Sequence, residues 1–600
     1  MDKKNTLIGA LLLAAAFVSL YLGSRLSPPA APHAPEIGQP PSFPPVTSAP
    51  ANPAALPPPV MPSDATFAAV AKDSTEATVT TLYNDFVEVH LTDFGGAIRD
   101  VAFRKYDAEL GKPGHYVFNQ LHADPILAFT EDSFPGLDRT ARYELVSSTP
   151  TEAVYRLVLD HRLEVTRRYA IRAPGDPAGD PYVVRQETTF RNLTTEAVTL
   201  PRVALSLGTA SLVNLNDYGQ YLNVASDDGN RTQFTDRGAL EGAGFIGRMF
   251  GRDTTPKSFV EKSGPIVWAS VKNQFFASIF TADKPGVAVV TRRIDLPPFP
   301  GSQRPNVGLT GAERFDLPVL APAGSATLAG NLFVGPKEYR RLAQFPNGED
   351  KVMQYDSNWY MRIFLCGYVA PFMNTLMNWT HRWVGNWGFA IILMTLIIKT
   401  VTLPFTLAAS RSAKRMQKFQ PEIQALREKH KDNPQKLNQA TLELFKAHKI
   451  NPMGGCLPIL ITMPLFIGFF TMLQSTAELR FQSFLWAPDL SAPDTVAHFL
   501  GFPLNIMPLL MGATMLYQMR LTPQPTVDNA QAKMMKFMPV IFTLFCYSFS
   551  CALALYSTVN GVFTIIQQLV INRMKDDEPA PAAGPDGMKN VTPAKRKGKK

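Results

Sequence analysis

The chain has 600 residues, of which 46% are hydrophobic and 18% charged, with a formal net charge of +9. That length excludes a single core, and four cysteines without a CxxC spacing (Cys366, Cys456, Cys546, Cys551) exclude a disulfide framework. The apolar runs are concentrated in residues 7–23 and 360–571, and lysines and arginines cluster next to them and at the C-terminus, which points to membrane topology before nucleic-acid binding.

The opening "MDKKNTLIGALLLAAAFVSLYLG" places Lys3 and Lys4 before an apolar run. A signal peptide or an uncleaved anchor reads this way. The run is long for a signal, and no clear small-x-small site follows, which favours an anchor over 1–26 with its N-terminus cytoplasmic. Residues 27–77 form a linker, rich in Pro and Ala over 27–62, that cannot bury a core and acts as an extended spacer. From 78 to 335 apolar and polar residues alternate. "LEVTRRYAI" puts Leu163, Val165, Tyr169 and Ile171 on one strand face, and Gly, Pro, Asn and Asp punctuate the runs. This predicts a large antiparallel β-sandwich, closing through a helical stretch near 345. Residues 357–381 are apolar but interrupted by Arg362, Pro371, Asn374 and Asn378, with Trp359, Trp379 and Trp383 close by. An amphipathic helix lying in the membrane interface fits this better than a span.

Residues 387–408 are predicted to span. Lys399 is the only ionisable residue between Arg382 and Arg411. It lies twelve residues before Arg411, about 18 Å of helix, farther than a lysine stem reaches. A charge at that depth costs at least ~2.5–3.5 kcal/mol. Two readings stand: a snorkelling lysine in a tilted helix, or a lysine facing a wet cavity inside the membrane.

The loop 409–450 carries ten Lys/Arg against Glu422, Glu428, Asp432 and Glu443. Met416, Phe419, Ile423 and Leu426 recur at helical spacing, as do Leu437, Ala440 and Leu444 after Asn433-Pro434. This predicts a cytoplasmic helical hairpin with a narrow apolar seam; a solvated connector is the plainer alternative. Spans are expected at 455–475 and 500–519. Residues 537–572 carry no charge. As one helix these 36 residues would be about 54 Å long, too long for one crossing. The segment 537–571 is therefore expected to cross twice as two short helices, giving six spans with both termini inside. The tail 572–600 is disordered by composition and ends in five positive charges among six residues, a fit for anionic lipid or RNA phosphate.

"VGNWGFAIILMTLIIKTVTLPFT", "KINPMGGCLPILITMPLF", "KFMPVIFTLF" and "TIIQQLV" resemble the YidC family of membrane protein insertases, in their order and spacing. The N-terminal anchor and β-domain resemble its Gram-negative members. The resemblance implies a polytopic α-helical membrane domain with a core of five transmembrane helices plus the anchor, and a periplasmic all-β supersandwich domain. It implies a hydrophilic groove open to the cytoplasm and to lipid, holding one positive residue, usually arginine, at the position of Lys399. It places Thr395 one helical turn away and Phe466, Phe545 and Tyr556 along a greasy slide. The implied activity is insertion and folding of nascent proteins in the bacterial inner membrane. The implied partners are nascent membrane proteins, the Sec translocon, the ribosome, the signal-recognition-particle receptor and membrane lipids. No cofactor or metal is implied. Where the family often has Pro-Ser-Gly between its last two helices, this chain has Ser550-Cys551-Ala552. Two rival readings are weighed. A proton-coupled secondary transporter usually needs membrane Asp or Glu, and none lies in the predicted spans. A membrane-anchored periplasmic carbohydrate-binding protein or enzyme would draw on acids and His90, His115, His122 and His161, but their spacing forms no recognised catalytic set.

Overall fold

The computed structural model describes residues 76–573, apart from 121–123, 131–133, 135, 215–216, 218, 243–254, 300–305, 431–432, 448–456, 500–501 and 522–529. The expected anchor, nearly all of the linker, Cys456 and the tail beyond Arg573 lie outside the described residues. The rest divides into two units, one of 76–375 with Ile467–Phe481, the other of Leu376–Phe466 with 482–573.

The first unit is β-rich. A four-stranded antiparallel sheet runs in order β1 (Val79–Tyr83), β2 (Val87–Thr92), β3 (Ala97–Asp107) and β4 (His115–Phe118). The second sheet contains β5 (Glu144–Ser148), β6 (Glu152–Leu159), β7 (Leu163–Ile171), β8 (Val183–Asn192), β9 (Val203–Ala210) and β10 (Asn223–Asp227). It continues with β11 (Thr232–Asp236), β12 (Phe259–Lys272), β13 (Phe276–Leu296), β14 (Asn306–Phe315) and β15 (Ser325–Pro336). Strand β13 is long enough to serve two neighbours on one edge. Phe276–Ala282 pairs with β15, and Ala288–Leu296 pairs with β14, which in turn pairs with β9. The sheet therefore branches at β13.

The alternation in β7 shows how the core is chosen. Leu163, Val165, Tyr169 and Ile171 are buried, because a strand sends every second side chain to the same face. Arg167 shares that face and is fully buried. Its Nη1 donates to Gly95 O at 2.6 Å and its Nη2 to Leu127 O, while the guanidinium lies 4.8 Å from the Phe129 ring centroid. The charge thus holds two loop carbonyls over an aromatic face.

Two further cations are buried in the same unit. Lys272 Nζ donates to Gln354 Oε1 at 2.8 Å, and Lys337 Nζ sits 5.3 Å from the Tyr221 ring centroid. Burial holds the Lys272 amine well below the usual lysine range and pushes Lys337 down to about 7, only partly offset by Asp217. The unfolded chain then binds more protons than the folded one between about pH 7 and the free-lysine value of 10.5. Stability should climb with pH across that window, and the full penalty of Lys337 should remain below it. Lys337→Met is expected to stabilise the unit by roughly 1–4 kcal/mol near neutral pH and to flatten the climb. The urea midpoint of the purified chain, compared near pH 7 and near pH 10, tests this; a midpoint in the variant that rises as steeply as in the parent contradicts it.

The remaining elements are mostly helical: α1 (Trp359–Ile363), α2 (Cys366–Val384), α3 (Trp387–Lys418), α4 (Gln420–Lys429), α5 (Pro434–Ala447), α6 (Leu457–Ser475), α7 (Ile506–Leu521), α8 (Ala530–Phe545) and α9 (Cys551–Arg573). Trp387–Leu407 and Cys551–Arg573 are each long and apolar enough to cross a membrane. The expected interfacial helix is two helices, α1 and α2, separated where Leu365 takes a φ of 53°. Tyr368, Phe372 and Trp383 stand exposed along α2. Pro371, Pro404, Pro464 and Pro539 lie inside α2, α3, α6 and α8. Each removes one backbone donor from its helix.

Two expectations are corrected. The span expected at 500–519 begins at Ile506, because Phe502–Asn505 is a strand, β17, paired with β16 (Thr495–Phe499). The last two helices are not both short. The turn falls at 546–550, and α9 runs 23 residues to Arg573. Close packing here depends on glycine. A Cβ at Gly561 of α9 would meet Thr514 of α7, and one at Gly512 of α7 would meet Thr543 of α8. Small residues let apolar helices approach where lipid supplies no hydrophobic drive.

Candidate functional site in the helical unit

On α3, Thr395, Lys399, Thr402 and Thr406 follow one another at spacings of four, three and four, so they share a helix face. Thr395, Lys399 and Thr406 are buried, Lys399 retaining 8% exposure. The face meets α9. Lys399 Nζ donates to Thr564 Oγ1 at 3.0 Å, and Gln567 Nε2 donates to Thr406 Oγ1 at 2.9 Å. Val401 and Phe405, off this stripe, are exposed and apolar.

The threonines satisfy themselves locally. Thr395 Oγ1 donates to Ile391 O at 2.6 Å, Thr402 Oγ1 to Ile398 O at 2.9 Å, and Thr564 Oγ1 to Asn560 O at 2.7 Å. Thr564 therefore presents a lone pair, not a proton, to the amine. None of α3, α6, α7, α8 or α9 carries Asp or Glu, and among the described residues no carboxylate pairs with Lys399. The site is one amine in an apolar bundle, held by a neutral hydroxyl. That arrangement can attract an anion and offers no acid–base partner for proton relay.

Of the residues expected at the site, Lys399 and Thr395 share the buried face of α3. Tyr556 is buried on α9, eight residues before Thr564. Phe466 of α6 packs on α8, its ring centroid 5.8 Å from that of Phe542. Phe545 ends α8, partly exposed and edge-on to Phe549 at 5.1 Å. Sequence reasoning missed Thr564, Gln567 and Thr406. Thr564 and Gln567 lie three residues apart in an uncharged segment, and that spacing was the available signal.

The fold and the site define a chain with a β-rich unit and a helical unit, two of whose helices are long and apolar enough to cross a membrane. Residues 79–365 match the family model described as the YidC periplasmic domain, and residues 379–578 match the 60Kd inner membrane protein model. A membrane protein insertase YidC from Nitrosospira multiformis is 41% identical over 256 residues, 42% of each chain. One from Chlorobaculum parvum is 28% identical over 544 residues, 87% of each chain. A solved structure of an active YidC insertase with its first transmembrane domain resolved is 18% identical, covers 86% of this chain and 96% of its own, and has a TM-score of 0.31. With the exception of the Chlorobaculum protein, the chain spans about half the length of the curated relatives it matches. The chain belongs to the YidC family of membrane protein insertases, a family of insertases rather than enzymes.

Proposed function

We propose that this chain inserts and folds nascent proteins in the bacterial inner membrane, alone or beside the Sec translocon. The observation that carries this reading is Lys399, a single amine buried on α3 with only Thr564 as its hydrogen-bond acceptor among the described residues. A nascent span with a short polar flank faces a large barrier in hydrocarbon. A polar seam part-way across shortens the dry path, and the Lys399 charge attracts acidic residues on the flank. Phe466, Phe545 and Tyr556 then offer apolar surface along which the client leaves for lipid. In this reading the N-terminal anchor and five further helices cross the membrane. Both termini and 409–450 are cytoplasmic, and the β-rich unit is periplasmic, following the basic-residue bias. A photo-crosslinking residue at position 399 should capture ribosome-bound nascent membrane proteins. No adduct with any of several clients would sink the proposal.

The segment containing α4 and α5 exposes Leu442 and carries the basic excess where ribosomes and targeting factors would approach. Deleting 415–445 is expected to abolish insertion while the protein still fractionates with the membrane. Normal insertion by the deletion would reduce the segment to a connector.

A further inference from the structure

We propose that the β16–β17 hairpin is a lipid-contacting device whose aromatic tip dips into the acyl chains of the outer leaflet. The proposal rests on reading α7 as a membrane-crossing helix. Phe499 and Phe502 face each other across the hairpin and are 72% and 77% exposed. Val496 and Leu504 are exposed beside them, as is Leu485 in the preceding loop. The base of the hairpin has the opposite character. Asp494 and Asn505 are buried there, and Asp494 Oδ2 accepts both Trp486 Nε1–H at 2.8 Å and the Met507 amide at 2.7 Å. Asn505 Nδ2 donates to Tyr547 O at 2.7 Å, and Tyr547 Oη donates to Pro503 O at 2.7 Å. A hairpin built for water buries its rings and exposes its polar groups. Apart from the exposed His498, this one does the reverse, and its base is bolted to the turn before α9.

Connectivity identifies the partner. Helix α7 begins at Ile506, the residue after β17, with no linker. Its 16 residues make about 24 Å of helix, some 6 Å less than a hydrocarbon core of about 30 Å. The residues just before Ile506 therefore fall at the edge of the hydrocarbon, not beyond it. Exposed apolar side chains occur again at Leu509 and Leu510 of α7, and no Asp, Glu, Lys or Arg occurs from 495 to 519. An unpaired strand edge is not tolerated deep in lipid, so the backbone stays at head-group level while the rings reach inward. Pro503 supports this placement, since it brings one fewer backbone N–H to the edge.

The test uses the full chain with its native cysteines replaced, in vesicles of phosphatidylethanolamine and phosphatidylglycerol. Nitroxides are attached singly at Phe502→Cys and Phe499→Cys on the hairpin, and at Leu510→Cys on α7 as the reference. Collision with dissolved oxygen is compared with collision with a water-soluble nickel chelate. The expected result is an oxygen-to-nickel ratio at both hairpin sites several-fold above that of a label in water, approaching that at 510. A water-like ratio at 499 and 502 beside a lipid-like one at 510 overturns the proposal and leaves the reading of α7 standing. Immobile labels shielded from both reagents mean that protein, a second copy or a client, covers the hairpin, and this also overturns it. Water-like ratios at all three sites remove the proposal and the reading of α7 together.

Discussion

Lys399→Glu is expected to be the most damaging single change at the α3–α9 seam for clients whose translocated tails are acidic. At an effective dielectric of about 20, a charge 6–10 Å from a client carboxylate is worth about 1.5–3 kcal/mol. Removing it in Lys399→Ala should slow insertion of acidic-tailed clients about tenfold or more, since 1.4 kcal/mol is a factor of ten. Reversing it in Lys399→Glu turns the attraction into repulsion. Neutral-tailed clients should be spared by the alanine variant. Lys399→Arg keeps the charge and should keep activity. The measurement is insertion of one client whose tail charge is varied in each background. Equal impairment of neutral and acidic tails by alanine would mean that Lys399 serves hydration or packing of the seam, not capture.

The largest effect on stability is expected at Arg167. Arg167→Ala empties a fully buried site and leaves Gly95 O and Leu127 O without their donors. Orphaned buried acceptors cost about 1–3 kcal/mol each, and the lost side-chain volume adds to that. The β-rich unit should lose about 3–5 kcal/mol, comparable with breaking a buried charged contact. Arg167→Lys should rescue little, because a single ammonium lacks the planar fork that reaches two carbonyls at once. Urea unfolding followed by protease resistance of the unit reports the difference. A shift below 1 kcal/mol, read against the ordinary spread of surface substitutions of about 0.5 kcal/mol, would show that the loops hold without it.

Much of this fold was legible because its periodicities are clean. The period of two in "LEVTRRYAI" gave the buried face of β7 from Leu163, Val165, Tyr169 and Ile171. Arg167 on the same face was passed over, since a charge in an alternating strand reads as a solvent position until its acceptors are known. The β16–β17 hairpin was illegible for a different reason. Its strands are only five and four residues long, and the apolar Phe502-Pro503-Leu504 run reads as the start of α7. The length of α9 was misjudged because the turn at 546–550 holds neither Gly nor Pro to mark it. At the candidate site, Lys399 announced itself as the lone charge in an apolar run. Thr564 and Gln567 did not, because a neutral polar residue in a helix gains meaning only once the opposing face is known.

The threonine hydroxyls that bond back to their own helices bear on how easily α3 and α9 can part. Thr395, Thr402, Thr558 and Thr564 each donate to a carbonyl four residues earlier, so their protons stay satisfied whether or not a neighbouring helix is present. Separation strips the seam of its bridging bonds, Lys399 to Thr564 and Gln567 to Thr406 among them. Interhelical bonds of this kind are worth about 0.6 kcal/mol each in a membrane. An incoming segment with a carboxylate or hydroxyl can replace them in kind. On the proposed function, the bundle would be fastened like a latch rather than welded: closed against lipid when idle, and yielding sideways to a guest that offers equivalent bonds.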